Sequence, residues 1–405
     1  MRTGEQSSEN KGMHFHRYFI YAIAILKKYS GGEPFHLYLK KYFSENKRHG
    51  SKDRKQITSL CYNYFRVGFA VSPSVDFNEK LLLATFLVEK KPSSLLQELK
   101  PDWNENIGLD ISLKIEIVKD IFSIEELFPL PHQISDEINF KEFSLSFLIQ
   151  PKLFIRIRPG HKNAVLQKLK SAQIFFQQLN ESCVAFSNTE KLNDVIRVDK
   201  EAVIQDYNSQ KTLDLITERC EHPVHPVSVW DCCAASGGKS ILAFDLLGDI
   251  GLTVSDTRKN ILENLHKRFA KAGIKNYNFF TADLSVFTPK EMISKRLDLI
   301  IADVPCSGSG TWSRTPEQLH FFSKEKIDKY LVLQQKIVSN VVQCLSENGY
   351  LLYITCSVFK EENEENVRFF QKNLNLQLIK SEYLKGYEMQ ADTLFAALLK
   401  RKNGK

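Results

Sequence analysis

Two cysteines stand where the chain can use a thiol as a reagent. Cys306 lies in Asp303-Val304-Pro305-Cys306-Ser307-Gly308-Ser309-Gly310, directly after the apolar run 297–302. Cys356 lies in Thr355-Cys356-Ser357, at the end of the run 349–355. Both runs read as strands. If they are neighbours in a parallel sheet, the thiols face one cleft. A lone cysteine is often only a small buried hydrophobe. Two at adjacent strand ends, with Asp303 and glycine-rich turns, argue for chemistry. An accessible thiolate is a nucleophile. Added to carbon 6 of a cytosine, it makes the ring enamine-like, so that carbon 5 can attack a sulfonium methyl. An acid hydrogen-bonded to the ring nitrogen favours the addition, and a base must later take the carbon 5 proton so that the thiol can leave.

The elements that would position these residues alternate from Val227 onward. Strands are expected at 227–231, 251–255, 277–281, 297–302 and 349–355, and helices at 239–247, 258–272, 327–345 and 361–371; two further strands close the chain at 375–380 and 393–399. This alternation means an α/β fold with a parallel sheet covered on both faces. Such sheets bind ligands beyond the carboxyl ends of their strands. The first strand runs into Asp231-Cys232-Cys233-Ala234-Ala235-Ser236-Gly237-Gly238-Lys239-Ser240. Its glycines allow a tight turn, and the next helix begins with free amides. Asp256 ends the second strand and Asp283 follows the third. A carboxylate at the first position can accept from both ribose hydroxyls, and one at the second can take an adenine amino group, which suits an adenosine-containing cofactor. Asp256 can equally cap the helix that starts at Arg258. A Walker A loop would need Gly where Cys233 stands, and the dinucleotide fingerprint is absent.

The remaining chain is organised differently. With 405 residues, two or three domains are expected. Residues 13–145 read as a helical bundle, with Phe15, Phe19, Ile23 and Leu26 on one stripe, Ile57, Leu60, Cys61 and Tyr64 on another, and 81–88 continuing the pattern. The apolar run 18–26 is too short to span a bilayer and, flanked by Arg17, Lys27 and Lys28, reads as a buried helix. Residues 1–70 carry 13 Lys/Arg against 5 Asp/Glu, while the rest is near neutral. A basic module on a neutral body suggests a polyanionic partner. Near residue 150 the texture changes to Leu153-Phe154-Ile155-Arg156-Ile157-Arg158, a strand, then a helix at 164–169 and extended segments at 174–177 and 182–186: a small α+β module. Residues 201–226 lead onward, broken by Pro223 and Pro226. The eight cysteines form no C-x-x-C pair, so structural zinc has little support, and reduced cytoplasmic thiols are the simplest reading. Cys61 is expected in the core, and at least one of Cys232 and Cys233 in packing.

Taken together, DCCAASGGKS at 231–240, DVPCSGSG at 303–310 and TCS at 355–357 resemble the Sun-type (RsmB-like) RNA cytosine-5 methyltransferase family. The resemblance extends to IQDYNSQ at 204–210, SRTPE at 313–317 and LFAALLK at 394–400, and so covers about residue 150 to the end. The paired cysteine motifs are highly specific to it. More weakly, Asp53-Arg54-Lys55, Leu60-Cys61-Tyr62 and Arg66 are similar to a NusB-like RNA-binding domain. The resemblance implies a class I (Rossmann-like) S-adenosylmethionine-dependent methyltransferase at 223–405, a helical NusB-like domain at 1–145 and a ferredoxin/RRM-like module at 150–222. By position it makes Cys356 the nucleophile, Cys306 a helper in product release and Asp303 a contact to the target base. Asp231, Cys233, Ala234, Ala235, Ser236, Gly237, Gly238, Lys239, Asp256, Arg258, Asp283 and Asp303 would surround S-adenosylmethionine. The implied substrate is a looped-out cytosine in RNA, ribosomal first and transfer RNA second, with no metal or membrane partner and a monomeric, cytoplasmic enzyme. A non-catalytic RNA-binding or assembly factor is the reading from another class. A DNA cytosine methyltransferase would instead use the Pro-Cys thiol as nucleophile. The family usually has Pro at Ser236, Ala at Val304, a basic pair before Pro316 and Gly at Thr393.

Overall fold

The computed structural model describes residues 5–219 and 227–402, with side chains in the first helix from His16 onward. Pro223 and Pro226 therefore lie outside the described residues. The described chain divides into two compact units. One holds the residues up to His132 together with Asn139–Gln150 and Trp312–Ser323, and the other holds Gln133–Ile138, Pro151–Thr311 and the residues from Lys324 onward.

The first unit is helical. Its longest helices are Glu5–Lys28, Phe35–Glu45, Ser51–Arg66 and Phe77–Val88. Asp76 caps the last of these, accepting from the amides of Asn78 (2.7 Å) and Glu79 (2.9 Å). In the first helix the buried residues are Phe19, Ala22, Ile25 and Leu26, while Ile23 is only half-buried. Ile57, Leu60 and Cys61 are buried as expected. Residues Trp312–Ser323 follow the first cysteine motif in sequence, yet they build this helical core. Trp312 stacks on Phe128 at 5.3 Å, Phe321 meets Tyr29 at 5.2 Å, and the Phe35 amide donates to Glu317 Oε1 at 3.3 Å. His320 sits against Tyr64 and Phe65, where burial pushes its imidazole down to about 3 and keeps it neutral.

The second unit contains two sheets. The smaller comprises β1 (Leu153–Ile157), β2 (Gln177–Gln178), β3 (Cys183–Phe186) and β4 (Ala202–Ile204), in the antiparallel order β2-β3-β1-β4, with helix Lys162–Ser171 between β1 and β2. Alternation along β1 sends Ile155 and Ile157 into the module's own core. The other face carries Phe154, Arg156 and, just past the strand, Arg158, all of which are buried too.

The larger sheet comprises β5 (Val227–Asp231), β6 (Ile250–Asp256), β7 (Tyr277–Thr281), β8 (Leu297–Asp303), β9 (Leu345–Thr355), β10 (Leu376–Leu384) and β11 (Leu394–Arg401). Its order is β10-β11-β9-β8-β5-β6-β7. The five strands from β9 to β7 are parallel, and β11 and β10 complete the sheet antiparallel. The central strands are near-continuous apolar runs because both faces are covered. Val229, Leu252, Val254, Ile301 and Ile354 pack with Ile241, Leu265 and Phe269 from the helices Gly238–Leu247 and Lys259–Ala272. The expected helix at 361–371 is present as a π-helical turn, Glu361–Glu365, running into helix Asn366–Asn373. No described helix is long and apolar enough to cross a membrane.

Candidate active site

β8 and β9 lie side by side, and their parallel ladder runs out at Asp303 and Ile354. The two cysteine motifs therefore leave the sheet together. Cys306 Sγ and Cys356 Sγ are 3.2 Å apart, and the Cys356 amide donates to Cys306 Sγ at 3.3 Å. Both residues are half-exposed. The hydrogen bond to the Cys356 sulfur, aided by burial, pushes the Cys306 thiol well above the ordinary cysteine value. Gly310 seals the base of the loops. Its amide donates to the Cys356 carbonyl and its carbonyl accepts from the Thr393 amide, both at 2.9 Å. A Cβ at Gly310 would stand 2.0 Å from the Thr393 carbonyl oxygen, so only glycine fits.

Asp303, at the tip of β8, is tied to Lys239 at the start of helix Gly238–Leu247, with Nζ to Oδ2 at 2.7 Å. Burial works against the Lys239 charge, but the Asp303 carboxylate outweighs it and holds the ammonium above its ordinary value. This ion pair joins the cysteine end of the sheet to the glycine turn.

That turn is tightly built. Ala235 and Gly237 are left-handed, at φ 46° and 81°, and a Cβ at Gly237 would come within 2.6 Å of the Phe269 ring. Ser236 is held in place: Arg268 Nη1 donates to both its carbonyl and its hydroxyl at 2.9 Å. Cys232 is buried under the turn and Cys233 is half-exposed. Ala234 is buried, its amide bonded to the Ser255 carbonyl.

Three acids stand at or just beyond the ends of β5, β6 and β7. Asp231 is buried; its Oδ2 accepts from Ser240 Oγ at 2.6 Å and its Oδ1 has no partner among the described residues. Burial pushes its carboxyl up to about 7. Asp256 accepts from the Arg258 amide and side chain and, through Oδ2, from the Ala235 amide at 3.1 Å. Burial alone would raise it, but these bonds hold it below the ordinary carboxylate value. Toward the helix its bonds reach no further than Arg258, the residue before helix Lys259–Ala272, and the bond from Ala235 ties the turn to β6. Asp283 is exposed beyond β7 and bonds Ser285. An unpartnered buried carboxylate oxygen, a left-handed turn opening a helix, and two further carboxylates at successive strand ends fit S-adenosylmethionine, which carries a cationic methionine part and an adenosine.

Glu362, Gln334, Asn363 and Asn366, which carry no motif in the sequence, form a buried polar network beneath the cysteine loops. A signal was present: 362, 363, 366, 367 and 370 share one helical face, and Val367 and Phe370 mark that face as inward.

This sheet order with a glycine turn after its first parallel strand defines a class I methyltransferase fold. Residues 221–400 match the model of the family described as 16S rRNA methyltransferase RsmB/F. Among curated relatives, ribosomal RNA small subunit methyltransferase F of Vibrio cholerae is 30% identical over 142 residues, 35% of this chain and 30% of its own length. The probable ribosomal RNA small subunit methyltransferase B of Synechocystis is 30% identical over 173 residues, 42% and 37% respectively. The chain thus spans about a third of the length of the curated relatives it matches. Among solved structures, PH0851 superposes with a TM-score of 0.68 at 18% identity, covering 96% of this chain and 98% of that one. NSun6 from Pyrococcus horikoshii, solved with SFG, gives 0.55 at 14% identity over 66% of this chain and 96% of its own.

Proposed function

We propose that this chain methylates carbon 5 of a cytosine in RNA, through a covalent adduct between Cys356 and carbon 6. The observation that carries this reading is the 3.2 Å pair of sulfurs beside the Lys239–Asp303 bridge to the glycine turn. Bound S-adenosylmethionine supplies the sulfonium methyl that carbon 5 attacks. Asp303, fixed by Lys239, contacts the base edge and favours addition of the Cys356 sulfur. After transfer, the carbon 5 proton leaves, the ring double bond re-forms, and the bond between carbon 6 and Cys356 breaks. Cys306 assists this release: its thiol hands a proton to the departing Cys356 sulfur 3.2 Å away, and the Cys306 thiolate so formed takes the carbon 5 proton.

The substrate we favour is small-subunit ribosomal RNA, in line with the names of the curated relatives. Two features support contact with RNA. The basic balance of residues 1–70 suits phosphates, and we read the helical unit as NusB-like. The order β2-β3-β1-β4 with a helix after β1 supports reading the small sheet as a ferredoxin/RRM-like extension. The test is methyl transfer from labelled S-adenosylmethionine to RNA from cells lacking the protein, with bisulfite sequencing of the product. Label in 16S rRNA supports the reading, label in tRNA moves the substrate, and no label in any RNA favours a binding factor.

Asp231 gives the reading a pH signature. Its folded pKa of about 7 lies above the ordinary carboxylate value, so the fold prefers the neutral acid. Its contribution to stability is therefore present in acid and is lost as pH rises through about 7. A cationic cofactor prefers the ionised acid and must expel the proton at lower pH. Cofactor affinity should therefore rise with pH, by up to about tenfold per unit below 7, and level off above it. Calorimetric titration of wild type and Asp231→Asn checks this: Asn should remove the slope, and an unchanged slope would reject the assignment.

A further inference from the structure

The backbone ladder between β8 and β9 stops before either cysteine, so something else must fix the distance between the sulfurs. One buried side chain spans both loops. Glu362 Oε1 accepts from the Ser307 amide at 2.9 Å and from Gln334 Nε2 at 2.8 Å, and Oε2 accepts from Ser357 Oγ at 2.5 Å. Ser307 directly follows Cys306 and Ser357 directly follows Cys356. Gln334 Nε2 also donates to the carbonyl of Pro305, the residue before Cys306, at 3.0 Å. Asn363, next to Glu362, donates to the Ser357 carbonyl at 2.8 Å. Ser307 and Ser309 hydroxyls meet the Ser357 hydroxyl at 3.1 and 3.2 Å, which closes the network.

The chemistry of the site makes this an unusual place for an acid. Glu362 is wholly buried, and its bonds come from neutral groups rather than from a cation. A buried carboxylate without a cation is costly, and an apolar side chain would serve packing alone better. Burial pushes its carboxyl above the ordinary value, and its charge also raises the nearby Cys306 thiol. Packing alone thus gives no reason for a hydrogen-bond acceptor here. The π-helical turn that carries Glu362 is an irregularity of the kind found at functional sites.

We infer that Glu362 is a positioning residue: acting through Ser307 and Ser357, it sets the separation of the Cys306 and Cys356 sulfurs needed for adduct formation and release. This rests on the proposed reaction, and one of its tests does not. That test is disulfide formation by diamide, in which the two thiols give up two hydrogens to the diazene and one S–S bond forms. The rate, read by peptide mass spectrometry, reports the sulfur separation without RNA. Glu362→Ala should slow this cross-link about 100-fold and lower kcat for methyl transfer by a similar factor, with the Kd for S-adenosylmethionine and the Tm little changed. Glu362→Gln keeps the Oε1 acceptor and should stay within about threefold of wild type on both readouts. Ser357→Ala, which removes one donor and leaves the acid in place, should slow the cross-link about tenfold. A folded Glu362→Ala that cross-links and turns over like wild type would overturn the inference. If Glu362→Ala fails to fold, an unimpaired Ser357→Ala overturns it equally. If wild type cross-links quickly but methylates no RNA, the proposed function fails while the cross-linking series still decides the role of Glu362.

Discussion

Cys356→Ala should abolish methyl transfer, by about 10⁴-fold or more, and form no covalent complex with RNA, whereas Cys306→Ala should accumulate that complex. The difference follows from where each sulfur acts. Without Cys356 no thiolate adds to carbon 6, and carbon 5 stays a poor nucleophile. Without Cys306 addition and transfer still proceed, but the adduct is slow to break. A denaturing gel after incubation with S-adenosylmethionine and RNA from cells lacking the protein separates the two, and sequencing the trapped RNA gives the target. The raised Cys306 thiol adds a second expectation: at neutral pH Cys306 is protonated and a poor nucleophile. An adduct that persists in Cys356→Ala and vanishes in Cys306→Ala would make Cys306 the nucleophile and sink the proposed roles.

The strand-end positions of these side chains are legible in the sequence because each motif is local. A strand, a turn and the residue at the strand tip lie within ten positions of one another, so Asp231, Asp256, Asp303, Cys306 and Cys356 can be placed from hydropathy and topology alone. What joins them is not local. The Lys239–Asp303 pair links residues 64 positions apart, and the Glu362–Ser307 bond links residues 55 apart. The acidic stretch Glu361-Glu362-Asn363-Glu364-Glu365 looks like a solvated helix start, and only the phase of Val367 and Phe370 hints that Glu362 faces inward. Trp312–Ser323 is a different kind of case. Its neighbours in sequence are the proposed catalytic residues, but its aromatics pack with Tyr29, Phe65 and Phe128. No periodicity in twelve residues reveals that.

Arg156 and Arg158 show the same limit most sharply, and their partner carries the second large expected effect. Alternating basic and apolar residues on β1 suggest one wet face, yet both arginines are at most 10% exposed because Asp245 meets them. Arg158 grips that carboxylate with Nε and Nη2, the latter at 2.8 Å, and Arg156 Nη1 reaches it at 2.6 Å. Arg158 Nη1 also donates to the Ala272 carbonyl at the end of helix Lys259–Ala272, at 2.7 Å, where the helix dipole favours a cation. Asp245→Ala would leave two guanidinium groups sharing a buried site without a counter-charge. The expected loss is about 3–5 kcal/mol, which for a unit of this size lowers Tm by roughly 10 °C. Replacing the whole cluster, as Arg156→Met, Arg158→Leu and Asp245→Leu together, should cost less than Asp245→Ala alone, since removing every charge leaves none uncompensated. Urea midpoints of the two variants decide it. If the triple variant is the less stable one, the cluster contributes net attraction beyond its desolvation cost. If Asp245→Ala melts like wild type, the guanidinium groups find water that the packing around them does not suggest.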